Sequence, residues 1–258
     1  MARLRRRDVL TLTVGSAILM GTAALSRRGV TEGEIRLFRT ANQLPDAAFP
    51  AAWVPMQYGS FGAVPVLAAA ALIRRRSRLA LALGTAGAGA WVLAKAVKPL
   101  VGRGRPEGLL SNVNLHGKEE GDLGFPSGHA AVSAALTTTS WAYLSSRERV
   151  LAVALAGFVP IARLYVGAHL PLDALGGSAL GLAIGSAVNL AGDHLGRSGT
   201  GDQGGSGKPH SLPMTRGEPT IRRPCATRGR SPSASRQPGH ARRRSFQPGS
   251  RDPRPAPP

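Results

Sequence analysis

Long apolar segments with few charges dominate the first three quarters of the chain and limit its possible folds more than any other feature. A helix of about 20 apolar residues spans the roughly 30 Å hydrocarbon core of a bilayer. Backbone groups in lipid must bond to one another, so only helices and closed barrels cross it. The sequence therefore predicts an all-α fold, a six-span transmembrane helical bundle within residues 1–195, with spans at about 9–25, 51–73, 79–97, 127–145, 150–168 and 171–192.

Residues 196–258 have a different composition, dominated by Gly, Pro, Ser and Arg. They hold thirteen Lys or Arg and three Asp or Glu, and so about half of the net charge of +19. Such a segment cannot bury enough apolar surface to offset the entropy of ordering it. We predict a disordered basic tail, whose Arg clusters are compatible with contact to anionic lipid headgroups. Its Cys225 is the single cysteine, which excludes an intramolecular disulfide.

The first apolar segment and the connection that follows it each have two interpretations. Basic residues 3–7 before segment 9–25 resemble a twin-Arg signal peptide. A retained first span is preferred, because the five later segments need a partner to make an even number. Residues 27–50 contain Ile35, Leu37 and Phe38, which suit either a short amphipathic helix in the membrane interface or an ordinary loop.

The distribution of basic residues predicts an orientation in the membrane. With six spans, the basic clusters 3–7 and 74–78, the pair Arg147 and Arg149, and the tail fall on one side. Basic loops stay cytoplasmic, so both termini are predicted to be cytoplasmic in a multi-pass protein of the cell membrane. The other loops then face outward, although four arginines within 27–39 argue mildly against this orientation.

Three polar motifs lie near the ends of the predicted spans. They are Lys-Pro-Leu-Val-Gly-Arg-Gly-Arg-Pro at 98–106, Pro-Ser-Gly-His at 126–129, and Ala-Arg-Leu-Tyr-Val-Gly-Ala-His-Leu-Pro-Leu-Asp at 162–173. Together they resemble the signature of the type 2 phosphatidic acid phosphatase superfamily, which also contains vanadium haloperoxidases and bacterial acid phosphatases. Every spacing of that signature is met. The one departure is Ala162, where the family often has Ser, and the resemblance covers about residues 50–195.

The resemblance implies a role for each motif residue. His169 would be the nucleophile that forms a phosphohistidine, Asp173 would orient it, and His129 would be the general acid and base. The implied phosphate-binding residues are Lys98, Arg105, Ser127, Gly128 and Arg163. The chemistry of these residues agrees, because Arg and Lys hold phosphate oxygens and Ser127 suits a helix N-cap, whose free amides attract anions.

The implied mechanism needs neither a metal nor another cofactor. Three acidic residues in loop 98–126, Glu119, Glu120 and Asp122, are interpreted as solvated rather than as metal ligands. His116 in the same loop matches no motif position and is interpreted as a loop residue.

The leading hypothesis is an integral-membrane phosphatase whose partners are membrane lipids and a lipid phosphate substrate. The resemblance implies phosphatidic acid, phosphatidylglycerol phosphate or a polyprenyl diphosphate. The alternatives are a haloperoxidase-like enzyme, against which the apolar spans argue, and a non-catalytic lipid-phosphate binding or transport protein. The net charge alone suggests nucleic acid, but we predict no such partner. Gly177, Gly181 and Gly185, spaced four apart, suit packing inside the bundle or a homo-oligomer seam.

Overall fold

The computed structural model describes residues 2–117 and 121–198, and within these ranges it contains nine α-helices and no strand. Short 3₁₀ turns lie at Asp46–Ala48, Gln57–Gly59 and Trp141–Tyr143. The predicted all-α class is therefore confirmed for the described residues, whereas the predicted disordered tail falls almost entirely outside them. The helices are α1 (Ala2–Ser26), α2 (Glu32–Asn42), α3 (Phe49–Met56), α4 (Ala63–Ile73), α5 (Ser77–Val101), α6 (Pro106–Leu109), α7 (Gly128–Ser140), α8 (Ser146–Tyr165) and α9 (Pro171–Ser198).

The six predicted spans are confirmed only in part. In the described part of the chain, three helical segments are long and apolar enough to cross a membrane: Arg3–Ser26, Ser77–Val101 and Pro171–Asp193. Asp46–Gly59 and Ala63–Ile73 meet the same criteria together but are bent by 64°. Three spans are supported, or four if the bent pair is one span.

The predicted span at 51–73 is two helices rather than one kinked helix. The helical path breaks at residues 57–62, between Pro55 and Pro65. Gly59 packs at this break against α7, where an added Cβ would lie 2.5 Å from the carbonyl oxygen of His129. The close approach of backbone to backbone accounts for the glycine.

The helices at the predicted spans 127–145 and 150–168 are not among those both long and apolar enough to cross a membrane: α7 is short, and α8 carries charged residues near both ends. Helix α7 ends at Ser140 and has 13 residues, which corresponds to about 20 Å. It is an interior helix, since ten of those residues are buried. Helix α8 begins with a capping box formed by Ser145 and Glu148, and it carries Arg163 in its last turn. These charged residues shorten its apolar stretch.

The glycine stripe of α9 faces α7 inside the bundle, which is one of the two uses that the sequence suggested. An added Cβ at Gly177 would lie 2.2 Å from the carbonyl oxygen of Ser127, and one at Gly181 would lie 2.1 Å from that of Ala131. Small side chains on α5, α7 and α9, among them the fully buried Ala86 and Ala135, complete a closely packed core.

We expect Gly181→Ala to destabilise the bundle by about 1–3 kcal/mol, because the new methyl group overlaps a backbone oxygen that cannot move independently. The matched control is Gly157→Ala on α8, where nothing lies within 4 Å of an added Cβ. That change should be neutral or slightly stabilising. Thermal unfolding in detergent compares the two, and equal midpoints would contradict this account of the α7–α9 contact.

Part of the connection 27–50 is helical rather than an ordinary loop, because Glu32–Asn42 form α2. Thr31 caps the helix by accepting a hydrogen bond from the backbone N–H of Glu34. Phe38 is buried against Leu164 and Leu170, whereas Leu37 is exposed. One face of α2 thus covers the end of the bundle at which α9 begins.

Candidate active site

The first motif is fixed by the end of α5. Lys98 lies in the last turn, and Gly102 ends the helix in the left-handed region at φ 68°, which glycine adopts without strain. The chain then pairs with the segment before the second motif through an antiparallel bridge between Gly104 and Leu123. The Lys98 ammonium donates hydrogen bonds to the carbonyls of Leu123 and Gly124. The first two motifs are therefore held side by side.

The second motif begins α7, with Ser127 at the predicted N-cap position. Its side chain makes no capping hydrogen bond, so that part of the prediction is wrong. The hydroxyl is fully buried and has no hydrogen-bond partner among the described residues. The Ser127 backbone N–H instead donates to the carbonyl of Asp173, at 2.9 Å. An added Cβ at Gly128 would meet nothing within 4 Å, so space remains beside the start of this helix.

The third motif runs from the end of α8 to the start of α9. Arg163 lies in the last turn of α8 and is buried beside Met56, with Nη1 3.8 Å from Sδ. His169 lies just before α9 and Asp173 lies in its first turn, as predicted, and both are buried. Arg105 reaches this motif as well, because its Nη1 donates to the carbonyl of Ala168 at 3.2 Å.

The two histidines lie within the electrostatic reach of the motif cations. Arg163 and Arg105 lie close enough for their charges to act on the ring of His129, which is half-buried at the start of α7. Burial holds the pKa of His169 well below its usual range, and the charges of Arg163, Lys98 and Arg105 lower it further. The ring of His169 is therefore neutral at pH 7, which is the form that carries a free lone pair.

The predicted hydrogen bond between Asp173 and His169 is not formed in this structure. His169 Nδ1 lies 3.8 Å from Asp173 Oδ2, beyond hydrogen-bond distance. Oδ2 instead accepts the backbone N–H of Leu170 at 2.9 Å. Nδ1 has no partner among the described residues. Nδ1 is nevertheless the ring nitrogen that faces the carboxylate of Asp173, so Nε2 is the ring nitrogen available for chemistry with a substrate.

Two buried charged residues at the site were missed by the sequence analysis. Arg103 lies inside the first motif, and its guanidinium contacts Asp173 Oδ1 at 3.2 Å and Glu34 Oε2 at 2.6 Å. Glu34 belongs to α2 and carries no motif. The alternation of Arg103 with Arg105 was the only sequence signal for the first residue, and nothing local marked the second.

A cavity of about 170 Å³ adjoins Arg105 and Arg163. His116 lines this cavity and is more than a loop residue, because its ring is stacked 4.5 Å from the ring of Tyr165. Its Nε2 lies 2.9 Å from Asp46 Oδ1. The rest of the wall combines apolar side chains with one carboxylate, including Phe49, Trp53, Met56 and Glu107.

No group of three or more His, Cys, Asp or Glu residues in the described ranges is arranged to hold a metal ion. Glu119 and Glu120 lie outside those ranges, while Asp122 offers its backbone carbonyl to the N–H of Arg105. Lys98, Arg105 and Arg163 give the site three cationic groups, which suit an anion.

Solved structures support the fold. The match to the crystal structure of Aquifex aeolicus LpxE covers 60% of this chain and 93% of that protein, with a TM-score of 0.55 and 24% sequence identity. The match to the crystal structure of a transmembrane PAP2-type phosphatidylglycerolphosphate phosphatase from Bacillus subtilis covers 74% of this chain and 98% of that protein. Its TM-score is 0.58 and the sequence identity is 19%. At these identities the likeness concerns the fold alone.

Sequence comparisons establish the family. The chain is 36% identical over 132 residues to decaprenylphosphoryl-5-phosphoribose phosphatase of Mycobacterium tuberculosis. This alignment covers 49% of this chain and 68% of that protein. The chain is also 30% identical over 124 residues to undecaprenyl-diphosphatase of Sulfolobus acidocaldarius. That alignment covers 46% of this chain and 57% of the relative. The family model described as PAP2 superfamily matches residues 77–195, which include all three motifs. The chain therefore belongs to the PAP2 superfamily.

Proposed function

We propose that this protein is an integral-membrane phosphatase that releases phosphate from a polyprenyl-type lipid phosphate or diphosphate through a phosphohistidine at His169. The observation that carries the proposal is the convergence of three distant motifs. Lys98 donates to the carbonyls of Leu123 and Gly124, Arg105 Nη1 donates to the carbonyl of Ala168 beside His169, and the Ser127 N–H donates to the carbonyl of Asp173. Three cations beside one neutral histidine form a site for a phosphate group next to a nucleophile.

The phosphate-binding part of the proposal assigns Lys98, Arg105 and Arg163 to the phosphate oxygens. Arg can bind two oxygens at once, and Lys acts as a point charge. The Ser127 hydroxyl, which is buried and makes no hydrogen bond with the described residues, is a further donor. The backbone N–H of Gly128 at the start of α7 is another. Such donors stabilise the charge that spreads over the phosphoryl oxygens in the transition state.

The proposed reaction has two steps. First, His169 Nε2 forms a bond to phosphorus while the bond to the ester oxygen breaks, and His129 gives its proton to that oxygen. An incoming phosphate offsets the positive charge of Arg105 and Arg163 and so favours the protonated His129 that this step requires. Second, His129 takes a proton from water, whose oxygen attacks phosphorus and releases His169 and inorganic phosphate. Asp173 compensates the positive charge of the His169 ring.

The names of the relatives support a polyprenyl substrate over the other two lipid classes. Both curated relatives bear names that specify a polyprenyl phosphate compound. The cavity beside Arg105 and Arg163 would take the group next to the scissile phosphate. Its volume of about 170 Å³ corresponds to about six water molecules, and its aromatic wall with Glu107 suits a small hydroxylated group or a second phosphate with its counterion.

The remaining parts of the proposal concern placement. We propose that the site faces the extracytoplasmic side, with the termini in the cytoplasm, because the basic clusters at 3–7 and 74–78 favour that orientation. No docking surface for a second copy is assigned, since the α9 glycine stripe is used within the bundle.

The substrate is tested by phosphate release from detergent-purified full-length protein in EDTA. Polyprenyl monophosphate, polyprenyl diphosphate, a polyprenyl-linked sugar phosphate, phosphatidic acid and phosphatidylglycerol phosphate are compared. We expect the fastest release from a polyprenyl compound, and activity that survives EDTA and falls with vanadate, because the three cations supply the charge neutralisation. Preference for a glycerolipid would contradict the substrate class. Loss of all activity in EDTA with restoration by Mg²⁺ would contradict the mechanism.

A further inference from the structure

We propose that Arg103 and Glu34 are positioning residues that act on His169 through Asp173. The inference rests on the proposed function, because it takes the His169–Asp173 pair as the reacting pair. It concerns residues outside the phosphate-binding set, and it assigns a role in the reaction to α2, a helix that lies outside the three motifs.

Arg103 holds Asp173 from the side opposite to His169. Its Nη1 lies 3.2 Å from Asp173 Oδ1 and 3.1 Å from Ser26 Oγ. Asp173 Oδ2 is fixed separately by the Leu170 N–H and faces His169 Nδ1. Both carboxylate oxygens therefore have defined directions, and the only one that faces His169 is Oδ2.

Glu34 holds Arg103 and the start of α9 together. Its Oε2 lies 2.6 Å from Arg103 Nη2, and its Oε1 accepts the N–H of Leu172 at 3.0 Å. Glu34 is itself placed by α2, which Thr31 caps and Phe38 anchors against Leu164 and Leu170. The contacts form a continuous path from α2 through Glu34, Arg103 and Asp173 to His169.

The charges of this cluster match what the reaction requires. Arg103, Glu34 and Asp173 are all buried, and their charges sum to one negative unit. With Arg103 alone, the carboxylate of Asp173 would be neutralised and less able to stabilise a cationic ring. Glu34 restores one negative charge. When Nε2 of His169 bonds to phosphorus while Nδ1 keeps a proton, the ring gains the positive charge that this surplus balances.

The test uses two conservative substitutions with matched controls. Glu34→Gln keeps the shape and the acceptor for Leu172 N–H but removes the charge, and its control is the exposed Glu32→Gln on the same helix. Arg103→Lys keeps the charge but loses the two-pronged contact, and its control is the exposed Arg36→Lys. We expect kcat to fall about 10- to 100-fold for Glu34→Gln and Arg103→Lys, as for partners that support metal ligands, with KM little changed and the controls at wild-type values.

A second background separates positioning from mere stability. In the Asp173→Asn protein, Arg103→Lys and Glu34→Gln should lower kcat by a much smaller factor than they do in the wild type. The reason is that the contacts through which they act on His169 are already broken. A purely structural role would cost the same factor in both backgrounds and would lower the thermal midpoint in proportion. An activated aryl phosphate keeps the rates of the double variants measurable.

The outcomes distinguish this inference from the proposed function. If His169→Ala retains turnover, the proposed function fails. If His169→Ala is inactive while folded Glu34→Gln and Arg103→Lys keep wild-type kcat, the positioning role alone is overturned. Equal losses in the wild-type and Asp173→Asn backgrounds would also overturn it. Should Arg103→Lys fail to fold, the isosteric Glu34→Gln decides the question.

Discussion

His169→Ala is expected to abolish phosphate release, with a loss of about 10⁴-fold or more, as for the removal of other enzymatic nucleophiles. The protein should still fold, because His169 lies in the loop before α9 and not in an apolar cluster. It should also still bind vanadate or phosphate, since Lys98, Arg105 and Arg163 remain. Phosphate release is measured with the preferred lipid, and binding is measured by protection against thermal unfolding.

Asp173→Asn is the graded control for that experiment. It keeps the nucleophilic nitrogen of His169 and removes only the charge that orients and stabilises the ring. Its activity should therefore lie between that of the wild type and that of His169→Ala. Wild-type turnover by His169→Ala would show that the motif residues do not perform the proposed chemistry. Loss of both turnover and phosphate binding, with the fold intact, would instead make His169 a ligand for the phosphate.

The spacing of the motifs predicted the site better than it predicted the contacts within it. Pro171 suits the first turn of a helix, so the order of His169, Pro171 and Asp173 placed the histidine before α9 and the carboxylate inside it, as the structure has them. The contacts of the Asp173 carboxylate depend on Arg103 and Glu34, which come from separate elements. A local pattern cannot report a contact between residues 69 positions apart.

Hydropathy predicted the helices, but hydropathy alone does not distinguish a membrane span from a helix buried in the protein. Helix α7 is apolar because the bundle surrounds it, with Val132 and Leu136 fully buried. A helix buried in protein and a helix facing lipid both require apolar side chains, so composition does not separate them. Length distinguishes the two for α7, since 13 residues are too few to cross a bilayer. The break at Gln57–Gly62 escaped prediction because it depends on the packing of Gly59 against His129.

The second large effect is expected for His129→Ala, with the loss set by the leaving group. For a lipid phosphate, whose alkoxide leaving group needs a proton, turnover should fall about 10²- to 10⁴-fold, which is the usual contribution of general acid–base catalysis. For an aryl phosphate with an acidic phenol, the first step needs no proton, and release of the phenol should be far less affected in the first turnover.

The same variant should then stall, because activation of water also requires His129. Burst kinetics on the aryl phosphate should show one equivalent of phenol followed by slow turnover. Radiolabelled phosphate should stay on the protein in a form that is acid-labile and base-stable, as expected for phosphohistidine, and His129→Ala/His169→Ala should trap none. An equal loss on both substrates with no burst would contradict the acid role and leave His129 as a phosphate ligand beside Arg105 and Arg163.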